Sequence, residues 1–134
     1  MVLGIVVSLL ELDASTGKTK ATLPNPWGTA SDIAAYGKTI FTRTLNNRWQ
    51  AAEAPEVVYH DGYYYLFLAY DALDVPYNTR VLRSKNVDGP YETMNSRVTD
   101  AAKGAGDNPT VLTHPYKFSQ GYGWVGISHC AVFD

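Results

Sequence analysis

The feature that most constrains the fold is a pair of apolar segments joined by two turn residues. The segments are Glu56 to His60 and Tyr63 to Tyr70, and Asp61-Gly62 lies between them. An Asp-Gly pair supplies the positive φ angles that a type I′ turn requires, so this region predicts a β-hairpin. Residues 77–84 alternate between polar and apolar side chains and predict a third strand, and residues 91–93 predict a short fourth strand.

Four antiparallel strands within about 40 residues have the size of one blade of a β-propeller. Before this blade, residues 4–13 form an apolar run that predicts a buried strand. A turn follows at residues 14–17, and no strand precedes the run to pair with it. Further elements are predicted elsewhere: a loop at residues 18–30, two short strands around Gly37 within residues 31–42, and the opening strands of another blade at residues 109–114 and 123–133.

No stretch has helical periodicity with clear caps, so the predicted fold class is all-β. The order of elements predicts a partial β-propeller with antiparallel, four-stranded blades in a single domain, residues 1–134. Residues 1–50 are assigned to the end of one blade and its linking strands. Residues 51–95 are assigned to one complete blade, and residues 96–134 to the start of the next.

Charge and composition exclude several classes of partner. The net charge is −2 and the 11 basic residues are scattered, so nucleic acid is not an expected partner. The apolar opening, residues 2–10, is too short to cross a membrane and lacks the basic start of a signal peptide. The single cysteine, Cys130, excludes an internal disulfide framework. The 10 Tyr, 3 Trp and 4 Phe residues either fill a core or form a surface on which sugar rings stack.

Glu53 is the first candidate for a catalytic group. It lies in the segment Ala51-Ala-Glu-Ala-Pro55, directly before the hairpin. A carboxyl group held at the mouth of a propeller channel would be desolvated, which raises its pKa and suits it to donate a proton. From composition alone, a solvated glutamate without a catalytic role is the more common interpretation.

Three groups of residues, the first of which includes Glu53, carry a family resemblance. The first is the segment of residues 53–71 (EAPEVVYHDGYYYLFLAYD). The second consists of the two tripeptides Arg83-Ser84-Lys85 and Gly89-Pro90-Tyr91, and the third is a tail with a Gly-x-x-His-Cys motif at residues 126–130. Together they resemble family 43 glycoside hydrolases, especially the endo-α-1,5-L-arabinanases. The resemblance implies a five-bladed propeller, of which this chain supplies about two blades, and an arabinan or arabino-oligosaccharide substrate. It also implies that Glu53 is the general acid that protonates the leaving sugar oxygen.

The same resemblance implies a metal-site role for His129. The matching histidine of arabinanases lies on the propeller axis and helps to hold a metal, usually calcium, largely through water. Calcium prefers oxygen ligands, so a water-mediated role is the expected one. Taken alone, a single histidine in this position is more often a core residue whose hydrogen bonds are satisfied. Cys130 is expected to face the opposite side of the strand and to pack as a small apolar group.

Polar and aromatic residues beside the hairpin are candidate substrate ligands. Asn78 and Arg80 lie on the predicted third strand, and Asp71 ends the second. These three side chains reach substrate at the same rim as Glu53, or they are ordinary polar groups at a sheet edge. Tyr77 and Trp124 are the candidates for contact with sugar rings.

An inverting glycosidase needs a second carboxylate, about 6.5–9.5 Å from the acid, to activate water. The resemblance implies a third carboxylate, an Asp that tunes the acid. No segment of this chain matches either motif, and neither Asp13 nor Asp32 has the expected position. A partial propeller exposes sheet faces, so we expect copies of the chain to associate or the segment to belong to a longer polypeptide. Members of the family are often secreted, but any signal peptide would lie upstream of this segment, so the sequence leaves the cellular location open.

Two alternatives assign no catalysis to the chain. The first is a carbohydrate-binding β module that retains sugar-binding aromatic residues. The second is a structural remnant that oligomerises. The aromatic residues that the first alternative requires are Trp49, Tyr70, Tyr77 and Trp124.

Overall fold

The computed structural model describes residues 4–23, 37–44, 52–74, 76–93, 110–113, 117–118, 121–123 and 125–133. These residues form antiparallel β-sheets and no helix, so none of the described segments is a helix that could cross a membrane. The all-β prediction is confirmed. The strands are β1 (Gly4–Leu9), β2 (Lys38–Thr44), β3 (Ala52–His60), β4 (Tyr63–Tyr70), β5 (Asn78–Ser84), β6 (Thr110–Val111), β7 (Lys117–Phe118) and β8 (Gly121–Tyr122).

The predicted hairpin is the centre of the fold. His60 pairs with Tyr63, and the two residues between them have the positive φ angles of a type I′ turn, 46° at Asp61 and 82° at Gly62. Strand β5 pairs with β4 in continuous register from Tyr64 opposite Ser84 to Tyr70 opposite Asn78. The order of the main sheet is therefore β3-β4-β5-β6.

The outer edge of this sheet differs from the prediction. Within residues 91–93, Glu92 forms an isolated bridge with Arg83, so this segment covers only one end of β5. Strand β6 covers the middle, where Thr110 pairs with Val81 and Val111 with Arg80. The strand predicted to open another blade thus extends the same edge, because the chain returns to β5 after leaving it at residue 93.

The predicted strand at residues 4–13 has a partner that follows it in sequence. Strand β1 pairs with β2 from Gly4 opposite Thr44 to Leu9 opposite Lys38, with an irregularity between Val7 and Ser8. The chain enters β2 through Gly37, whose φ is 95°. A Cβ atom there would lie 2.3 Å from the Leu9 carbonyl oxygen, so only glycine fits this approach.

The strand predicted for residues 123–133 is not formed. In the described part of that range, the one bridge joins Ile127 to Asn78, and residues 128–133 have no regular structure. A φ of 57° at His129 is incompatible with a continuous strand. The segment instead crosses one face of the main sheet.

The core lies between the main sheet and the β1–β2 pair. Alternate residues of β4 face it, and Leu66, Leu68 and Tyr70 are at most 1% exposed. Phe41 of β2 meets the Tyr70 ring edge to face, with 6.2 Å between ring centroids. The other buried apolar residues of this cluster are Val7, Ile40, Ala52, Leu82 and Tyr91. We call this side of the sheet the core face and the other side the outer face.

Because Tyr91 is buried, the folded chain is expected to lose stability at alkaline pH. Its side chain is fully buried, and its hydroxyl donates a hydrogen bond to the Val87 carbonyl oxygen at 2.8 Å. Burial raises the pKa of Tyr91 to about 12, against 10.0 for an ordinary tyrosine. The unfolded chain therefore loses this proton first, and the stability that Tyr91 contributes below pH 10 is lost as the pH rises towards 12.

We expect the urea midpoint to fall between pH 10 and 12, and to fall less in Tyr91→Phe. Tyr77, whose pKa is also raised to about 12, accounts for part of the remaining dependence. Equal slopes of midpoint against pH in the two proteins would contradict this assignment.

Candidate active site

Glu53 lies where strand β3 is interrupted by a bulge. Glu53 pairs with Ala69 and Glu56 with Phe67, so Ala54 and Pro55 together stand opposite Leu68. Ala54 has a φ of 48°, a left-handed conformation that is unfavourable for a residue with a Cβ atom. A bulge turns the preceding side chain away from the regular alternation. The Glu53 side chain is exposed, so the described residues do not provide the burial that the sequence predicts.

Tyr77 holds the Glu53 carboxyl group. Its hydroxyl donates a hydrogen bond to Glu53 Oε1 at 2.7 Å. Burial, followed by the hydrogen bond and the charge of Glu53, raises the pKa of Tyr77 to about 12. Tyr77 is only 5% exposed, which leaves its ring no free face against which a sugar could stack. The structure brings together Tyr77 and Glu53, but through the hydroxyl rather than the ring.

His129 is the third member of this group. Its Nδ1 lies 3.4 Å from the Tyr77 hydroxyl oxygen, and its side chain is exposed. The positive φ at His129 turns the backbone here. We call Glu53, Tyr77 and His129 the acid cluster. Its members come from β3, from the loop before β5 and from the C-terminal segment.

Hydrogen bonds to β5 and β3 position the C-terminal segment. Ser128 Oγ donates to the Asn78 carbonyl oxygen at 2.8 Å and accepts from Thr79 Oγ1 at 3.2 Å. The Val132 amide donates to Glu56 Oε2 at 3.0 Å. These contacts fix the backbone on both sides of His129, and thereby fix the imidazole beside Tyr77.

Cys130 does not pack as the sequence predicts. It is exposed, and its Sγ lies 3.8 Å from Thr79 Oγ1. The expectation of a small apolar group buried behind His129 is therefore wrong. Its physical basis was strand alternation, which the turn at His129 removes.

Asn78 and Arg80 lie on the core face, whereas Thr79 between them lies on the outer face with Ser128. Asn78 Nδ2 donates to Asp71 Oδ2 at 3.0 Å and to the Pro76 carbonyl oxygen at 2.8 Å. Arg80 Nε donates to Asn78 Oδ1 at 3.0 Å. These residues contact one another, and none of the described contacts joins them to the acid cluster.

Arg43 of β2 completes this second group and was not predicted from the sequence. Its Nη2 donates to Asp71 Oδ1 at 2.7 Å. Its guanidinium carbon lies 4.1 Å from the centroid of the Tyr70 ring, and that of Arg80 lies 4.5 Å from the same centroid. No local pattern marks Arg43, because its partners come from other strands. We call Arg43, Tyr70, Asp71, Asn78 and Arg80 the arginine cluster.

Two cavities on the main sheet lie apart from the acid cluster. One is about 290 Å³ and is lined by Tyr65, Val81, Leu82, Arg83, Glu92 and Thr110. The other is about 270 Å³ and is lined by Val58, His60, Tyr65, Phe67, Val132 and Phe133. Since neither includes Glu53, the candidate active site rests on the acid cluster and not on a cavity.

A calcium site is not assembled by the described residues. Among them, no three His, Cys, Asp or Glu side chains come together. His129 offers one imidazole whose Nδ1 faces Tyr77, whereas calcium takes six to eight oxygen ligands. The oxygens of such a site would have to come from water and from residues beyond the described part. Three residues named from the sequence lie outside the described residues: Asp32, Trp49 and Trp124.

The model of glycosyl hydrolases family 43 matches residues 16–116. The chain belongs to this family.

Curated relatives carry more specific names. The chain is 38% identical over 89 residues to an extracellular endo-α-(1→5)-L-arabinanase of Thermotoga petrophila, which covers 63% of this chain and 16% of that protein. It is 45% identical over 60 residues to the extracellular endo-α-(1→5)-L-arabinanase 2 of Bacillus subtilis, which covers 42% of this chain and 12% of that protein. The chain therefore spans less than a fifth of the length of these two relatives.

Solved structures show the same fold. The endo-1,5-α-L-arabinanase of Thermotoga petrophila superposes with a TM-score of 0.66 at 27% identity, over 91% of this chain and 26% of that one. A family 43 glycoside hydrolase of Bacillus licheniformis superposes with a TM-score of 0.64 at 25% identity, over 90% of this chain and 27% of that one. The prediction of a partial β-propeller, from a family of five-bladed propellers, is confirmed.

Proposed function

We propose that this chain contributes the general acid to the hydrolysis of α-1,5-L-arabinofuranosidic bonds. The observation that carries the proposal is the hydrogen bond from Tyr77 to Glu53 Oε1, at the position where the family resemblance assigns the acid. The names of the relatives supply the substrate class, arabinan. Reducing-sugar release from debranched arabinan, with Glu53→Gln as the control, tests the proposal.

The hydrogen bond separates the roles of the two carboxyl oxygens. Oε1 accepts a hydrogen bond from the Tyr77 hydroxyl, so Oε2 is the oxygen that carries the acid proton. That proton passes to the oxygen of the leaving sugar as its bond to the anomeric carbon breaks. A general acid must hold its proton within hydrogen-bond reach of the leaving group, which Tyr77 favours by restricting rotation of the carboxyl group.

The other half of the reaction requires groups outside this chain. In an inverting reaction a second carboxylate takes a proton from water, and that water attacks the anomeric carbon from the opposite face. A third carboxylate, an Asp, tunes the acid. We assign both to a larger polypeptide or to another copy of the chain, and we expect the isolated chain to release no sugar. Association of copies over the exposed sheet faces stays a prediction.

The metal expectation also stays a prediction. A calcium ion near His129 would interact with the imidazole through water, since the ion prefers oxygen ligands. The chain itself contributes the orientation of that imidazole, through the backbone contacts of Ser128 and the approach of Nδ1 to Tyr77.

Tyr77→Phe tests the role of the hydroxyl group. An active background is a chimera in which this chain replaces the matching segment of the Thermotoga petrophila arabinanase. Loss of a hydrogen bond to the protonated acid costs about 0.5–1.5 kcal/mol, so we expect kcat on arabinan to fall by about two- to tenfold. KM should change little, because the Tyr77 ring is buried.

Tyr59→Phe is the matched control, since the Tyr59 side chain is 58% exposed and pairs with the Tyr64 ring. Its kcat should equal that of the parent chimera. An unchanged kcat in Tyr77→Phe would show that the hydroxyl does not position the acid.

The non-catalytic alternative gains no support from the described aromatic residues. Tyr70 is fully buried and Tyr77 is 5% exposed, so neither ring presents a face to a sugar. The binding module would then depend on Trp49 and Trp124, which lie outside the described residues.

A further inference from the structure

Arg80 has a guanidinium group that is fixed in place but not saturated with partners. Its Nε donates to Asn78 Oδ1 at 3.0 Å, and its carbon lies 4.5 Å from the centroid of the Tyr70 ring. Asn78 is itself held by Asp71 and by the Pro76 carbonyl oxygen. The plane of the Arg80 guanidinium is thereby set before any ligand arrives, which lowers the entropic cost of binding.

The two terminal nitrogens of Arg80 have no hydrogen-bond acceptor among the described residues. Asp71, the nearest carboxylate of the cluster, is bonded to other residues: its Oδ1 accepts from Arg43 and its Oδ2 from Asn78. The guanidinium groups of Arg43 and Arg80 both lie against the Tyr70 ring.

The Arg80 side chain is half-buried and therefore keeps part of its surface in solvent. Arg80 pairs with Val111 of β6, which lies on the same face and is 42% exposed.

The planar, positively charged fork of N–H donors on Arg80 is complementary to a carboxylate, which accepts two parallel hydrogen bonds. From this geometry we propose that Arg80 is a binding site for the carboxylate of an acidic sugar, a uronic acid residue. The inference that the ligand has a carboxylate depends only on the contacts of Arg80. The inference that this carboxylate belongs to a sugar rests on the proposed function. The site lies on the face of β5 opposite to Thr79 and apart from the acid cluster.

Titration of the full chain with D-galacturonate tests the site. The readout is the Nε–Hε resonance of Arg80 in nitrogen–proton correlation spectra. We expect this resonance to shift and the shift to saturate with a dissociation constant on the order of 1 mM, because a single charged side chain supplies the binding energy. D-Galactose, which lacks the carboxylate, should produce no shift, and acetate should shift the same resonance with weaker affinity. Equal binding of galactose, or tighter binding of inorganic phosphate, would overturn the carboxylate assignment.

Variants assign the binding to the guanidinium fork. Arg80→Met keeps the apolar stem and should weaken galacturonate binding at least tenfold, measured by calorimetry. Arg80→Lys keeps the charge without the fork and should weaken galacturonate binding about fivefold. This variant replaces Arg80→Met in the test if the methionine variant does not fold. Arg83→Met is the matched control: its guanidinium lies on the other face, paired with Glu92. Unchanged binding in both Arg80 variants would overturn the proposal.

Glu53→Gln separates this inference from the proposed function. The variant should bind galacturonate with unchanged affinity, even if arabinan proves not to be a substrate. Loss of galacturonate binding in Glu53→Gln would place the ligand at the acid cluster and overturn the assignment to Arg80.

Discussion

Glu53→Gln is expected to reduce arabinan hydrolysis by the chimera about 100- to 10,000-fold, the usual contribution of a general acid. Glutamine keeps the shape of the side chain and can still accept a hydrogen bond from Tyr77 through its amide oxygen. It has no acidic proton, so the leaving sugar must depart as an alkoxide. The initial rate of reducing-sugar release is the measurement.

Comparing substrates with different leaving groups distinguishes a general acid from a residue that only stabilises the fold. An aryl arabinofuranoside with an acidic phenol departs without protonation, so Glu53→Gln should slow its hydrolysis much less than that of arabinan. Glu56→Gln is the matched control, because an amide oxygen can still accept from the Val132 amide. An equal loss on both substrates in Glu53→Gln would contradict the role of general acid.

The second large effect concerns stability. Leu66 is fully buried at the centre of β4 and belongs to the core cluster. Leu66→Ala should lower the free energy of unfolding by about 2–5 kcal/mol, because it removes buried methyl groups and leaves a cavity between the sheets. Urea denaturation of the chain, followed by circular dichroism, gives this quantity from the midpoint and slope.

Val57→Ala provides the comparison on the neighbouring strand. Val57 pairs directly with Leu66 but is 37% exposed, so its truncation removes less buried area. We expect a loss of about 1 kcal/mol or less. Losses of equal size in the two variants would contradict the placement of the core between the main sheet and the β1–β2 pair.

The hairpin could be predicted because its determinants are local. The positive φ angles at Asp61 and Gly62 follow from the turn residues, and the burial of Leu66 and Leu68 follows from alternation along β4. The proposal that Glu53 is the acid also rests on the motif around it. None of these inferences required knowledge of distant contacts.

The partners of Glu53 could not be predicted in the same way. Tyr77 lies 24 residues from Glu53 in the sequence, and His129 lies 52 residues from Tyr77. The bulge at Ala54 and the turn at His129 bring them together, and neither residue type favours a positive φ. The sequence accordingly predicted a sugar contact for the Tyr77 ring and a strand through His129.

Strand alternation also determines where the polar side chains of β5 point. One interpretation of Asn78 and Arg80 placed them at the same rim as Glu53, and the other made them ordinary polar groups at a sheet edge. The side chains of β5 alternate, so Asn78 and Arg80 face the core while Thr79 faces Ser128 on the outer face. Arg43 could not be predicted from the sequence, because its contacts with Asp71 and Tyr70 form only when the sheets pack together.

The central claim is that this chain supplies the acid of an inverting arabinanase and that the base comes from elsewhere. Proton NMR of the anomeric signals during arabinan hydrolysis tests it most directly. A monomer of the isolated chain should produce no new anomeric signal, and the chimera should produce the β-anomer first, as single displacement requires. Release of sugar by that monomer, or first appearance of the α-anomer from the chimera, would contradict the claim.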